Sequence, residues 1–116
     1  MCKNELPDYL QKVFDNNGIK VGFPTKDYIS LSWTSAAGED CLVEVERDSI
    51  AESVARYAKL FSPARHVEAW NSCRRSNNED IPETAVLMED AVDISRFMNH
   101  VADELIKAEA GHSPAN

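Results

Sequence analysis

Apolar side chains recur at alternating intervals of four and three residues in the last third of the chain. The repeat runs through residues 83–110, at Leu87, Ala91, Ile94, Met98, Val101 and Leu105. This spacing is the period of an α-helix with one buried seam. It predicts a long amphipathic helix that ends at Gly111, followed by a disordered tail at residues 112–116.

A short helix is predicted near the start of the chain. Its apolar residues follow helical spacing, at Leu6, Tyr9, Leu10, Val13 and Phe14. The Asn-Asn-Gly sequence at residues 16–18 is a strong stop signal. We expect two to three turns of helix here.

Two further helices are predicted in the middle of the chain. Ser49 and Glu52 have the spacing of a capping box, which predicts a helix start. Ser62 and Pro63 suit the cap and first residue of the next helix. That helix is predicted to run to about residue 75, with one apolar side formed by Val67, Trp70 and Cys73.

Alternation of apolar and polar residues predicts a β-hairpin. Apolar positions recur at every second residue, at Ile29, Leu31, Trp33, Cys41, Val43 and Val45. A polar break at residues 35–40 separates the two strands, and residues 19–23 can add a brief edge strand. The order of elements indicates an α+β fold, a small antiparallel sheet packed by about four helices. We expect a single domain over residues 1–111.

Charge is concentrated at one end of the chain. The net charge is −8; residues 1–78 carry eleven acids and ten bases, whereas residues 79–116 carry nine acids and two bases. An anionic surface repels phosphate backbones, which argues against direct nucleic-acid binding. It suits a basic protein partner.

Cysteine usage and hydropathy bear on the compartment. Cys2, Cys41 and Cys73 are odd in number and show no CxxC pairing, which is typical of free thiols in a reducing environment. No apolar run has the length of a membrane span, and the first residues do not have the pattern of a signal peptide. We therefore expect a cytoplasmic protein that does not bind membranes.

The sequence offers little for catalysis. It contains no P-loop, GxGxxG, GxSxG or HExxH motif, and its histidines do not have metal-ligand spacing. His66 precedes Trp70 by one helical turn, which suits stacking or a cap near the helix start. His100 is one turn from Asp103 and Glu104, close enough for an ion pair or a hydrogen bond, but we expect a solvated helix face there. Cys73 is expected to be a buried structural thiol. We predict a protein that is not an enzyme and needs no metal or cofactor.

The bases of the two middle helices have two interpretations. Five of them, with Tyr57 and Trp70, could form a basic aromatic patch: Arg56, Lys59, Arg65, Arg74 and Arg75. They could equally pair with the acidic last helix. Because the halves of a small domain must touch, we favour the internal pairing.

Four features along the second half of the chain form a pattern: Phe61, the His-Val-Glu-Ala-Trp sequence at residues 66–70, the Ile-Pro pair at residues 81–82 and the Leu-Met-Glu-Asp-Ala helix at residues 87–91. This pattern resembles a group of small uncharacterised bacterial proteins that mobile elements and phages often carry. It covers roughly residues 28–105. The Ser-Pro-Ala-Arg sequence at residues 62–65 departs from the acidic turn that is more usual there. The resemblance implies an accessory protein of a bacterial or phage cytoplasm, and it carries no catalytic residues.

The leading hypothesis is a non-catalytic protein-binding module. Residues beside the apolar seam would widen it into a binding stripe for a partner helix or a second copy, in a homodimer: Phe97, Ala102 and Ile106.

The alternative is an acidic inhibitor that mimics nucleic acid, as some anti-CRISPR proteins do. It would occupy the basic groove of a nuclease or another DNA-binding protein with a row of carboxylates: Glu83, Glu89, Asp90, Asp93, Asp103 and Glu104. Its affinity would fall steeply with salt.

Overall fold

The computed structural model describes residues 6–36, 38–80 and 84–112. Over these residues the elements are α1 (Asp8–Asn16), β1 (Lys20–Gly22), β2 (Tyr28–Thr34), β3 (Asp40–Glu46), a 3-10 turn (Arg47–Ser49), α2 (Ile50–Leu60), α3 (Pro63–Ser76) and α4 (Thr84–His112). The α+β prediction is confirmed, including the long C-terminal helix.

Helix α4 supplies one side of the core along most of its length. All six residues of its predicted seam are at most 5% exposed. The main cluster joins α4 to α1, α2 and the inner face of the sheet, through Leu10, Phe14, Ile29, Leu31, Val45, Val54, Val101 and Leu105. Further toward the start of α4, Ile94 and Met98 cluster with Ala58 of α2, and Leu87 and Ala91 cluster with Val67 of α3. Burial of apolar surface along the seam therefore holds α4 to the sheet and to the other helices.

The end of α4 differs from the prediction. The helix continues through Gly111 to His112, so Gly111 is not its stop and His112 is not in a tail. Glycine ends a helix by adopting a positive φ, and Gly111 is not among the described glycines that do so. Residues 113–116, the rest of the predicted tail, lie outside the described residues.

In the described part of the chain, the sheet has three antiparallel strands in the order β1-β2-β3. The predicted hairpin and the short edge strand are both present. Ile29, Leu31 and Val45 point into the core, whereas alternate positions of β3 face solvent. The pleat therefore gives the sheet one dry face and one wet face.

The two predicted helix caps have different outcomes. The Ser62 hydroxyl accepts a hydrogen bond from the Arg65 N–H at 3.3 Å, so this cap is confirmed. Ser49 makes no capping bond; its hydroxyl lies 3.3 Å from Glu46 Oε1 and 3.2 Å from Ser53 Oγ. The capping box is wrong because the 3-10 turn before α2 directs this hydroxyl toward Glu46 and Ser53.

Helix α3 is the least buried of the described helices. Val67 is its buried residue, and it packs on Leu87 and Ala91 of α4. Cys73 is exposed, so the prediction of a buried structural thiol is wrong. Six residues of α-helix rotate a side chain through 600°, which places Cys73 about 120° away from Val67.

Candidate functional site

The turn between β2 and β3 is tied to α4 by a buried hydrogen bond. The Ser35 hydroxyl donates to Asp90 Oδ2 at 3.1 Å and accepts from the Glu39 N–H at 3.0 Å. Asp90 is 5% exposed. Because a buried carboxylate needs hydrogen-bond donors, this contact solvates Asp90 and fixes the turn at the same time.

The same turn is tied to α3 by His66. Its Nε2 lies 3.1 Å from Glu39 Oε1, with the two side chains 25% and 16% exposed. The imidazole packs between Phe61 and Trp70, with ring centroids 5.2 and 5.9 Å away and ring planes tilted by 47° and 51°. The contact with Trp70 is present, as a tilted arrangement rather than a parallel stack. The Arg74 guanidinium covers Trp70 at 4.7 Å from the ring centroid. The histidine therefore positions α3 against the hairpin.

An open cleft of about 690 Å³ lies where this turn, the end of α1 and α4 meet. Its apolar lining comes from Trp33, Ile94 and Phe97. Its polar groups come from all three elements, at Asn17, Ser35, Asp90, Asp93, Arg96 and His100. An apolar cleft of this size with a few convergent polar groups has the character of a binding site.

Trp33 and Phe97 form the aromatic part of the cleft. Their ring centroids are 5.4 Å apart with the planes tilted by 46°. Both side chains are half-buried and pack against the core, so the scaffold holds them in place. Rings fixed by core packing lose little further conformational freedom when a ligand covers them.

The rim of the cleft carries paired charges. Arg96 Nη1 lies 3.4 Å from Asp93 Oδ1. His100 Nε2 lies 3.5 Å from Glu104 Oε2, and both of these side chains are partly exposed on the expected solvated face of the helix. Asn17 donates from Nδ2 to Glu104 Oε1 at 2.8 Å and to the carbonyl of Val13 at 2.8 Å. These contacts join the end of α1 to α4 beside the cleft.

The predicted acidic face is not one continuous row. Asp90 is buried beneath the turn, so its placement on a solvent-facing strip is wrong. Asp93 pairs with Arg96 and Asp103 pairs with Lys107 at 3.4 Å, while Glu104 is held by Asn17 and His100. Glu89 is exposed. Glu83 lies outside the described residues.

The predicted apolar flank is also divided. Ala102 is 5% exposed within the core, so it is not available as surface. Phe97 lines the cleft, and Ile106 is exposed some two turns further along α4. Of the residues proposed from sequence, the structure brings together Asp90, Asp93 and Phe97.

The favoured pairing between the middle helices and α4 is wrong for the described residues. The ion pairs of Asp93 and Asp103 are made by bases of α4 itself. Over residues 6–36, 38–80 and 84–112, no ion pair joins α4 to the bases of α2 or α3. Neighbouring turns of one helix satisfy these carboxylates more easily than side chains that must reach across a helix interface.

Cys41 lies near the turn but is poorly suited to nucleophilic chemistry. Burial, together with the charges of Glu39, Asp90 and Asp40, raises the pKa of its thiol from 9.0 to about 11. The thiolate is the reactive form, and it is scarce at neutral pH when the pKa is this high. Among the described residues, no three histidine, cysteine or acidic side chains are grouped so that they could hold a metal ion.

Thiol reactivity gives a direct check on this site. In a Cys2→Ser background near pH 8, we expect an aromatic disulfide reagent to modify exposed Cys73 first. The reaction at Cys41 should be the slower one, because partial burial and nearby carboxylates raise the pKa of its thiol to about 11 and so leave little thiolate at this pH. Its rate should continue to rise with pH up to about pH 11. Single Cys41→Ser and Cys73→Ser variants assign the two phases, and equal rates would contradict the raised pKa and partial burial of Cys41.

The cleft residues that sequence reasoning missed are those that depend on distant contacts. Trp33 was assigned only to a strand face, and Ser35 only to a polar break. Asn17 was part of a helix stop. The proximity of these residues to α4 depends on tertiary packing, which the local periodicity does not encode.

Comparisons with protein families, with curated proteins and with solved structures found no match for this chain. In the described part of the chain, none of the helices combines the length and apolar character that a membrane span requires. Function therefore has to be inferred from the cleft and the charges around it.

Proposed function

We propose that the protein is a non-catalytic protein-binding module whose cleft receives an apolar side chain of a partner segment. The observation that carries this proposal is the cleft between the β2–β3 turn and α4, with Trp33 and Phe97 held side by side in its wall. Aromatic anchors in pockets are typical of the centres of protein interfaces.

The polar groups of the cleft support binding rather than catalysis. The Ser35 hydroxyl donates a hydrogen bond to Asp90 and accepts one from the Glu39 N–H, and these two hydrogen bonds hold the turn. Cys41 is largely protonated at neutral pH.

Electrostatics favour a partner with a positive charge beside its apolar residue. Asp93 is half-exposed on the rim, Asp90 lies beneath it, and the chain as a whole carries −8. Arg96 is 77% exposed and its ion pair with Asp93 is a weak surface pair, so a partner lysine or arginine can compete for that carboxylate. Long-range attraction would raise the association rate at low salt.

Nucleic-acid mimicry has less support. A mimic needs a row of unneutralised carboxylates, whereas Asp93 and Asp103 are interleaved with Arg96 and Lys107 on the same helix face. Mimicry would make binding sensitive to Asp103 and Glu89 as much as to Asp93. The experiment below separates the two functions on this point.

The proposal fits a cytoplasmic accessory protein of a bacterium, phage or mobile element. Cys41 and Cys73 are both free thiols, which suits a reducing compartment.

The test is a selection of displayed random peptides with the wild-type protein as bait. We expect enriched sequences that place a large apolar residue beside lysine or arginine. Their binding should fall about ten-fold or more in Phe97→Ala and Asp93→Lys, because an anchor pocket or a rim attraction is lost. Emission of Trp33, recorded in a Trp70→Phe background, should shift to the blue when a peptide covers the ring.

Asp103→Lys is the matched control, because it changes the same charge on the same helix about 15 Å further along. It also loses an ion pair of the same length as that of Asp93. Its affinity for the selected peptides should stay within about two-fold of wild type. Equal losses of affinity in Asp93→Lys and Asp103→Lys would support mimicry instead. The cleft proposal would be overturned by peptides whose affinity is unchanged in Phe97→Ala and which leave the emission of Trp33 unchanged.

A further inference from the structure

Strand β3 forms one edge of the sheet. Within the described residues, the order β1-β2-β3 leaves it with a strand neighbour on one side only. Its seven residues pair with the whole of β2, from Tyr28 opposite Glu46 to Thr34 opposite Asp40. A strand of this length at an edge can serve as a template for another extended segment.

The register fixes which backbone groups of β3 point outward. The Ser35 N–H donates to the Glu39 carbonyl at 2.8 Å, and the Arg47 N–H donates to the Asp27 carbonyl at 2.9 Å. Hydrogen-bonded pairs alternate along an antiparallel ladder, so residues 41, 43 and 45 bond to β2. The N–H and C=O groups of residues 40, 42, 44 and 46 therefore face away from the sheet.

Side chains at these outward positions are acidic, with one apolar exception. Asp40, Glu44 and Glu46 are exposed on the wet face, and Leu42 between them is 66% exposed. An added strand would place its own residues opposite these on the same face, where opposite charges attract. The wet face therefore fits a strand with basic residues at every second position.

The opposite face of the same edge is apolar. Val43 and Tyr57 of α2 line one apolar pocket under the sheet. Val43 is half-buried and Tyr57 is 45% exposed, so both leave apolar surface uncovered at this edge. The alternate residues of an added strand would lie beside this pair. They would be buried best if they were apolar.

We propose that β3 accepts, as a fourth strand, an extended segment of a partner protein that alternates basic and apolar residues. Backbone bonds to Leu42 and Glu44 supply affinity, and the two faces of the edge supply specificity. The proposal does not depend on the cleft, which lies at the turn between the strands and α4.

A second copy of this chain does not fit the same edge. Two β3 strands paired with each other would bring the rows of Asp40, Glu44 and Glu46 together on one face. Like charges opposite each other destabilise a strand pair. The basic partner is therefore the occupant to which we commit.

The test uses two ten-residue peptides of lysine and valine with the same composition. One alternates the two residues, and the other carries its lysines in one block. We expect the alternating peptide to bind saturably, to shift and protect the amide protons of Leu42 and Glu44 in NMR spectra, and to weaken with added salt. The block peptide should bind at least about five-fold more weakly, because it cannot match both faces.

Variants of the edge make the test specific. Glu44→Lys should lower affinity for the alternating peptide about ten-fold, whereas Glu68→Lys, the same charge change at an exposed site on α3, should lower it less than about two-fold. Leu42→Pro removes an outward N–H, which an edge strand tolerates, and should abolish binding while the circular dichroism stays unchanged.

Four outcomes would overturn the proposal. They are equal affinity for the two peptides, equal losses in Glu44→Lys and Glu68→Lys, amide changes outside β3, and a dimer in light scattering that Leu42→Pro dissociates. Because Phe97 lines the pocket beside Val43 and Tyr57 as well as the cleft, the position of the amide changes, at Leu42 and Glu44 or around the cleft, separates the two sites. The cleft and the strand edge can therefore fail independently.

Discussion

Leu105→Ala should lower the free energy of unfolding by about 3 kcal/mol, whereas Ile106→Ala should change it by less than about 0.5 kcal/mol. Leu105 is fully buried in the seam of α4, and its neighbour Ile106 is 49% exposed. Truncation of Leu105 removes apolar contacts and leaves a cavity among residues of α1, α2 and the sheet. Urea unfolding followed by circular dichroism measures both values.

The adjacent pair serves as its own control. Both substitutions shorten a large aliphatic side chain to alanine within one turn of the same helix, so helix propensity contributes little to the difference. Equal losses of unfolding free energy in Leu105→Ala and Ile106→Ala would mean that α4 is rotated relative to the core, so that both side chains are buried to a similar extent. A loss at Ile106 that grows with protein concentration would mean that this residue lies in an interface between copies, as the sequence suggested for it.

The long helix was predictable because its signal is local and repeated. Six positions at helical spacing share one environment, and a single misplaced residue cannot hide such a pattern. The hairpin was predictable for the same reason, since alternation over two strands of similar length leaves one register that buries Ile29, Leu31 and Val45. Periodicity thus determined which faces are buried.

The predicted exposure of a side chain is wrong where a residue beside the seam contacts a residue that is distant in sequence. Asp90 is a polar position next to the apolar stripe, and helical spacing alone assigns it to solvent. Its burial depends on Ser35, which is 55 residues away in the chain. For Cys73 the error is the opposite one, since the residue is expected to be buried and is exposed. The reason is that α3 contacts α4 along only a narrow face.

The cleft shows the same limit. Trp33 and Phe97 come from a strand and a helix that are far apart in sequence, and each has an adequate local role as a core-facing residue. Nothing in their spacing predicts that they meet beside an open space. The His-Val-Glu-Ala-Trp and Leu-Met-Glu-Asp-Ala segments now have a physical role, since His66 and Asp90 tie one turn to two helices.

Asp90→Ala should lower the free energy of unfolding by about 2 kcal/mol, whereas Asp93→Ala should lower it by no more than about 0.5 kcal/mol. Asp90 is buried and accepts a hydrogen bond from Ser35, and the substitution removes this bond between the turn and α4. Asp93 makes an exposed ion pair with Arg96. Both variants remove one negative charge from α4, so the relief of general charge repulsion is matched, and urea unfolding reports the remainder.

A double-mutant cycle with Ser35→Ala tests whether the hydrogen bond is the cause. If it is, Ser35→Ala and Asp90→Ala should show a coupling energy of about 1 kcal/mol, and the double variant should be little worse than Asp90→Ala alone. Asp90→Asn keeps an acceptor in the same place and should lose about half as much stability as Asp90→Ala. Additive losses in the cycle, or equal stabilities of Asp90→Ala and Asp93→Ala, would contradict the role of Asp90 as the anchor of the turn. Either result would instead support the solvent-facing position that the sequence pattern predicts for Asp90.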